Sequence, residues 1–123
     1  MKYRRMNNDI LEICDKDNNV IMSISEKFED GVLTIKVSGQ IRNEVAHDFE
    51  DEVMAGLSVC KNVILDFSGV NYIASVALNS LLSAQNIVDD NENAYMKIVN
   101  VGSDVMEVFE QSGFSDILMI ENE

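Results

Sequence analysis

The chain has 123 residues, 46% of them apolar, which suits one domain with a core that needs no disulfide or metal staple. Nine basic residues stand against 22 acidic ones, a formal net charge of −13 that excludes a nucleic-acid or anionic-membrane partner and favours one with a basic surface. No stretch approaches the ~20 apolar residues of a stable membrane span, no signal-peptide core follows Met1–Arg5, and Cys14 and Cys60 lie far apart without a CxxC partner, so reduced thiols in a cytoplasm are expected.

Residues 1–8 are polar, with a small basic cluster at Lys2, Arg4 and Arg5, and read as a loose arm. That cluster is either a solvated tail or a basic anchor. Two short apolar runs, Ile10–Cys14 and Val20–Ile24, flank Asp15-Lys16-Asp17-Asn18-Asn19, whose turn chemistry predicts a hairpin. Asp30-Gly31 predicts a second hairpin turn. Beyond it Leu33, Ile35 and Val37 alternate with Thr34, Lys36 and Ser38, the period of a strand with one buried face, closed by Gly39.

Asn43 is a candidate N-cap for a helix over about Glu44–Ser58. Val45, Phe49, Val53 and Leu57 form its inner stripe, and Asp48, Glu50, Asp51 and Glu52 mostly its outside. Val63–Phe67 is nearly continuous in apolar residues and predicts a central strand covered on both faces. A helix over about Val76–Val88 follows, then a polar turn, then a strand over Ala94–Val101. Gly102-Ser103-Asp104 leads into a third helix with Val105, Val108 and Phe109 inward, where Asp104 and Glu107 have the spacing of a capping box and Gly113 that of a C-cap. Ile117–Ile120 is a last short strand. Alternation of this kind defines an α/β fold with a mixed, mostly parallel sheet.

Four segments, in order, resemble one family. Gly39-Gln40-Ile41 resembles the Gly-x-Leu turn of STAS domains, and Val63–Val70 their strand and following loop. Tyr72–Leu78 occupies the place of the Asp-Ser-Ser-Gly-Leu phosphorylation motif, and Val105–Phe114 resembles the final helix and its Ser-Gly-Leu turn. The resemblance runs from about Glu26 to the C-terminus. It divides the chain into an arm (1–8), a hairpin extension (9–25) and a STAS domain (26–123) with helices packed mainly on one face.

What the resemblance implies is a binding module similar to bacterial anti-sigma factor antagonists, not an enzyme. Such a domain binds an anti-sigma factor that is also a serine kinase, in a partner-switching pathway that regulates transcription. Phosphorylation of the motif serine ends the complex, because a charge of about −1.5 to −2 in a close interface repels and must be desolvated. The aligned serine is Ser75, at a helix start, where a phosphate meets free N–H groups; read without the family, it is simply an N-cap. The implied contact face comprises Arg42, Asn43, Ala74, Ser75, Val76, Ala77 and Asn79. The sequence departs from the motif: Ala74 stands for the Asp, Val76 for the second Ser, and Ala77 and Asn79 for two glycines. Arg42 replaces a common acid and brings a cation able to pair with a phosphate. The alternative is a non-switching STAS subunit of a larger assembly, such as a stressosome-type scaffold or a lipid-transport ATPase complex.

No cofactor, metal or catalytic residue is expected. His47 has no Cys or His in helical register. A triad of Ser75, His47 and Asp66 lacks a Gly-x-Ser-x-Gly elbow, and Asn100–Asp104 lacks the spacing and lysine of a phosphate loop. Asp66 reads as a paired or solvated loop acid.

Overall fold

The computed structural model describes residues 2–122. Its strands are β1 (Tyr3–Asn7), β2 (Ile10–Cys14), β3 (Val20–Glu29), β4 (Val32–Ile41), β5 (Asn62–Ile73), β6 (Tyr95–Val99) and β7 (Ile120–Glu121). Its α-helices are α1 (Ala46–Val59), α2 (Ser75–Asp89) and α3 (Ser103–Ser112), with 3-10 turns at Asn43–Val45 and Phe114–Asp116. The strands form one sheet in chain order, β1 to β7. The first three pairings are antiparallel and the last three parallel. Each parallel step needs a crossover, and α1, α2 and α3 supply them. Because the strands add in one direction, crossovers of one hand put all three helices on the same face.

That face is the core. Phe49 of α1, Phe67 of β5 and Phe109 of α3 are fully buried, with ring centroids 6.2 and 6.5 Å apart. Leu81 of α2 and Leu65 and Ile98 of the central strands are equally buried, and Leu78 nearly so. Gly56 lets α1 approach β4: a Cβ there would lie 2.9 Å from Leu33 Cδ2.

Several local expectations give way to the packing. Val63–Phe67 is not covered on both faces, because Ile64 and Asp66 point to the helix-free side and are only half-buried. The strand also runs on to Ile73, where a loop was expected, because pairing with β4 continues through two irregularities of register. Likewise β4 does not close at Gly39 but continues to Ile41. Asn43 caps no helix; it opens the 3-10 turn, and α1 starts at Ala46 without a side-chain cap. The Asp104–Glu107 capping box does not form: Gly102 is the N-cap, and Glu107 instead accepts a bond from Gln111 Nε2 at 3.1 Å. Gly113 does end α3, at φ 82°. The last strand is Ile120–Glu121, since the chain first winds through the Phe114–Asp116 turn.

The largest difference is at the N-terminus. Residues 3–7, expected in a loose arm, form β1 and pair with β2 from Tyr3↔Cys14 to Asn7↔Ile10. Asn8 and Asp9 both have positive φ, 49° and 70°, the pattern of a two-residue type I′ hairpin turn. The expected β2–β3 hairpin is present, with Asp15 Oδ1 accepting the backbone N–H of Asp17 at 2.9 Å and of Asn19 at 3.0 Å.

The basic cluster on this added hairpin is an intramolecular anchor. Asp48, placed on the outer face of α1 by its spacing, is only 6% exposed. Lys2 Nζ donates to its Oδ2, and Arg4 donates to its Oδ1 at 3.3 Å and to Glu52 Oε1 at 3.4 Å. Arg5 donates to Glu12 of β2 at 2.7 Å. Glu26 of β3 also faces this cluster, and burial together with the Glu52 carboxylate raises its pKa above the ordinary value. Replacing Lys2 and Arg4 together by alanine leaves Asp48 buried without cations. Both cations are partly exposed, so the expected loss is about 1–2 kcal/mol, short of that for a fully buried pair. Urea unfolding at low and high salt checks this: the loss should narrow as salt rises, and a double variant as stable as the parent refutes the anchor.

Candidate functional site

The candidate site lies where β4 and β5 end side by side. Gln40 pairs with Tyr72 and Ile41 with Ile73, and the Ala74 N–H donates to the Ile41 carbonyl at 2.9 Å. The chain then departs in two directions: β4 into the Asn43–Val45 turn, β5 into α2. The Gly39–Asn43 segment and the start of α2 are therefore neighbours by backbone pairing. Gly39 is required for this. Its φ is 97°, and a Cβ there would stand 2.3 Å from the Ile21 carbonyl oxygen.

Ser75 is the first residue of α2 and is exposed. It is not the N-cap; that position belongs to Ala74, which is extended and has no side-chain oxygen to offer. Ala77 and Leu78 direct their N–H groups to the Ala74 carbonyl at 3.0 and 3.3 Å. The N–H groups of Ser75 and Val76 precede the first helical bonds, and no acidic residue occupies this first turn. Anionic charge is welcome at such a position.

The other predicted contact residues divide into two groups. Asn43, Val76 and Asn79 are exposed and Arg42 is half-exposed. Ala74 and Ala77 are buried, at 5% and 0% exposure, because helical spacing turns them into the core. They offer a partner no side-chain surface. Arg42 is already engaged: its Nε donates to Gln40 Oε1 at 2.7 Å, and a terminal nitrogen lies 3.9 Å from Glu44 Oε2.

Asn71 and Tyr72 were not among the contact residues expected from the sequence. Tyr72 is a large apolar side chain left 51% exposed. With Gln40, Arg42, Asn43, Glu44 and Asn71 it lines an open groove of about 520 Å³. Periodicity could not reveal it, because the register shift near Asn71 breaks the alternation of β5.

The arrangement leaves the Ser75 hydroxyl and the Tyr72 ring accessible at one end of the sheet. Ser75, His47 and Asp66 are not assembled as a triad. His47 faces Glu50 on α1 at 3.8 Å. Asp66 accepts the Ser68 N–H at 2.9 Å and Asn100 Nδ2 at 3.3 Å. Among the described residues no group of three or more His, Cys, Asp or Glu is placed to hold a metal ion, and no helix is long and apolar enough to cross a membrane.

A family model for the STAS domain matches residues 23–123, and the chain belongs to that family. Solved structures of the same fold include an anti-sigma factor antagonist from Mycobacterium paratuberculosis, at 19% identity and a TM-score of 0.74, over 87% of this chain and 88% of that one. The phosphorylated form of the Bacillus cell fate determinant SpoIIAA is similar at 13% identity and a TM-score of 0.61, over 81% of this chain and 92% of that one. A sulfate transporter family protein from Wolinella succinogenes is similar at 17% identity and a TM-score of 0.62, over 95% of this chain and 88% of that one. No curated protein sequence matches the chain.

Negative charge at the first turn of α2 should stabilise the isolated domain. Ser75→Asp is expected to gain about 0.3–1 kcal/mol over Ser75→Ala at low ionic strength. Denaturant midpoints of the two variants measure it; equal midpoints would show that the helix start does not favour an anion.

Proposed function

We propose that this chain is a regulatory protein-binding module that acts in the cytoplasm as an anti-sigma factor antagonist. Its partner is an anti-sigma factor with serine kinase activity, and phosphorylation of Ser75 ends the complex. The observation that carries the reading is the exposed Ser75 hydroxyl at the start of α2. It is followed by exposed Val76 and adjoins the segment that carries Arg42 and Asn43. Val76 and Tyr72 give a partner apolar area around the hydroxyl, and the acidic surface draws a basic partner. A phosphate at Ser75 is compatible with the helix but not with a closely packed partner, so the modification acts on the complex and spares the fold.

A second reading has its own support: a fixed STAS subunit of a larger assembly, without switching. Ala74 and Val76 replace polar motif residues, and the fold is shared with a sulfate transporter family protein.

Capture of the partner from native cells, with and without phosphatase, separates the two. Under the switching reading, Ser75 carries phosphate in part of the cellular pool. Ser75→Asp then binds the purified partner at least about tenfold more weakly than Ser75→Ala, or about 1.4 kcal/mol. If Ser75 is never phosphorylated and both variants bind alike, the fixed-subunit reading replaces it.

A further inference from the structure

The face of the sheet opposite the helices is uncovered by any described element. Strands β4 to β7 are mutually parallel, and parallel strands usually have both faces covered. The residues there are set by register. Ser25, Lys36, Asp66, Val99 and Glu121 form one row, and Lys27, Thr34, Ile64 and Lys97 the next. Ile64, Thr34 and Val99 are half-buried.

Two features distinguish this face from the rest of the surface. The first is charge. The chain carries −13, yet on this sheet surface three lysines meet four carboxylates, a nearly balanced set. Lys27 lies 3.0 Å from Glu29, Lys97 lies 3.3 Å from Glu121, and Lys36 is the cross-strand partner of Asp66, with Asp30 at the rim. Burial alone would push the Asp66 carboxyl up, but the bonds from Ser68 and Asn100 and the charge of Lys36 outweigh it and hold it below the ordinary range, so this acid is ionised beside its lysine. The second feature is shape. Thr34 and Ile64 line both of two shallow grooves of about 270 and 300 Å³, one shared with Val99 and Glu121, the other with Lys27 and Val32.

We propose that this open face is the interface of a reversible homodimer, in which a second copy of the chain packs sheet against sheet. A copy of so acidic a molecule is repelled by most of its own surface but far less by a nearly neutral face whose lysines and carboxylates can pair across a two-fold axis. A strongly basic partner is drawn instead to the acidic remainder. Ile64 and Val99 leave water at the centre of the interface. The two rows reach across five strands but are only two side chains deep, a small area for specific association. The dimer is therefore concentration-dependent, not obligate.

Sedimentation velocity on the full chain tests this, from about 1 μM to about 1 mM. The wild type is expected to pass from monomer to dimer across that range. Ile64→Arg and the charge-reversal variant Lys97→Glu should each weaken the dimer at least about tenfold, with folding checked by circular dichroism. Val76→Arg, on the candidate partner face, should leave it unchanged. A wild type that stays monomeric throughout overturns the proposal. So does a dimer that Val76→Arg disrupts and the two sheet-face variants leave intact.

Discussion

The parallel pairing of β4 with β5 is the constraint on which the rest of the structure depends. It runs from Leu33↔Val63 to Ile41↔Ile73 and ends in the bond from the Ala74 N–H to the Ile41 carbonyl. Because the strands are parallel, a crossover must join them, and that crossover is α1. Because both strands reach the same edge, the segment before α1 and the start of α2 emerge together. Gly39 is the weak point of this arrangement. Any side chain there would meet the Ile21 carbonyl and drive β3 from β4. The site is thus a consequence of strand register, and its residues need no direct bonds to one another to remain neighbours.

Electrostatics shapes the molecule differently at each surface. Lys2 and Arg4 are taken up by Asp48 and Glu52, so the N-terminal hairpin neutralises part of α1 and fixes its first turn close to the Asn43–Val45 segment. The lysines of the open sheet face are balanced by carboxylates on that same face. After Lys97 there is no lysine or arginine, so every charged side chain of the last fifth of the chain is acidic. A basic partner therefore meets long-range attraction over most of the surface, while specificity is left to the local shape around Tyr72, Val76 and Ser75.

The helices and the succession of elements from Gly31 onward were legible because their signals are local and periodic. Phe49 and Val53 mark the buried stripe of α1, and Leu33, Ile35 and Val37 the buried side of β4. The family assignment was legible from four short segments in order. What escaped was non-local. Asp48 looks like a solvated acid until a strand more than forty residues away brings it two cations. Asn8-Asp9 is a weaker turn signal than Asn-Gly, so a basic stretch read as an arm where it forms a strand. At the site, the helix start was placed within one residue, but which side chains face outward depends on that residue: Ser75 rather than Val76 opens α2, and Ala74 and Ala77 fall inside. Tyr72 escaped because the register shift in β5 interrupts the alternation on which its exposure would have been read.

The central claim is that the Gly39–Asn43 segment and the start of α2 act as one contact face. Amide hydrogen exchange, measured on the free chain and on its complex with the protein captured from native cells, tests it most directly. The account predicts that exchange slows together at residues 40–43 and 74–79, while the N-terminal hairpin is unaffected by the partner. Protection confined to one of the two segments, or centred on α3 instead, would contradict it.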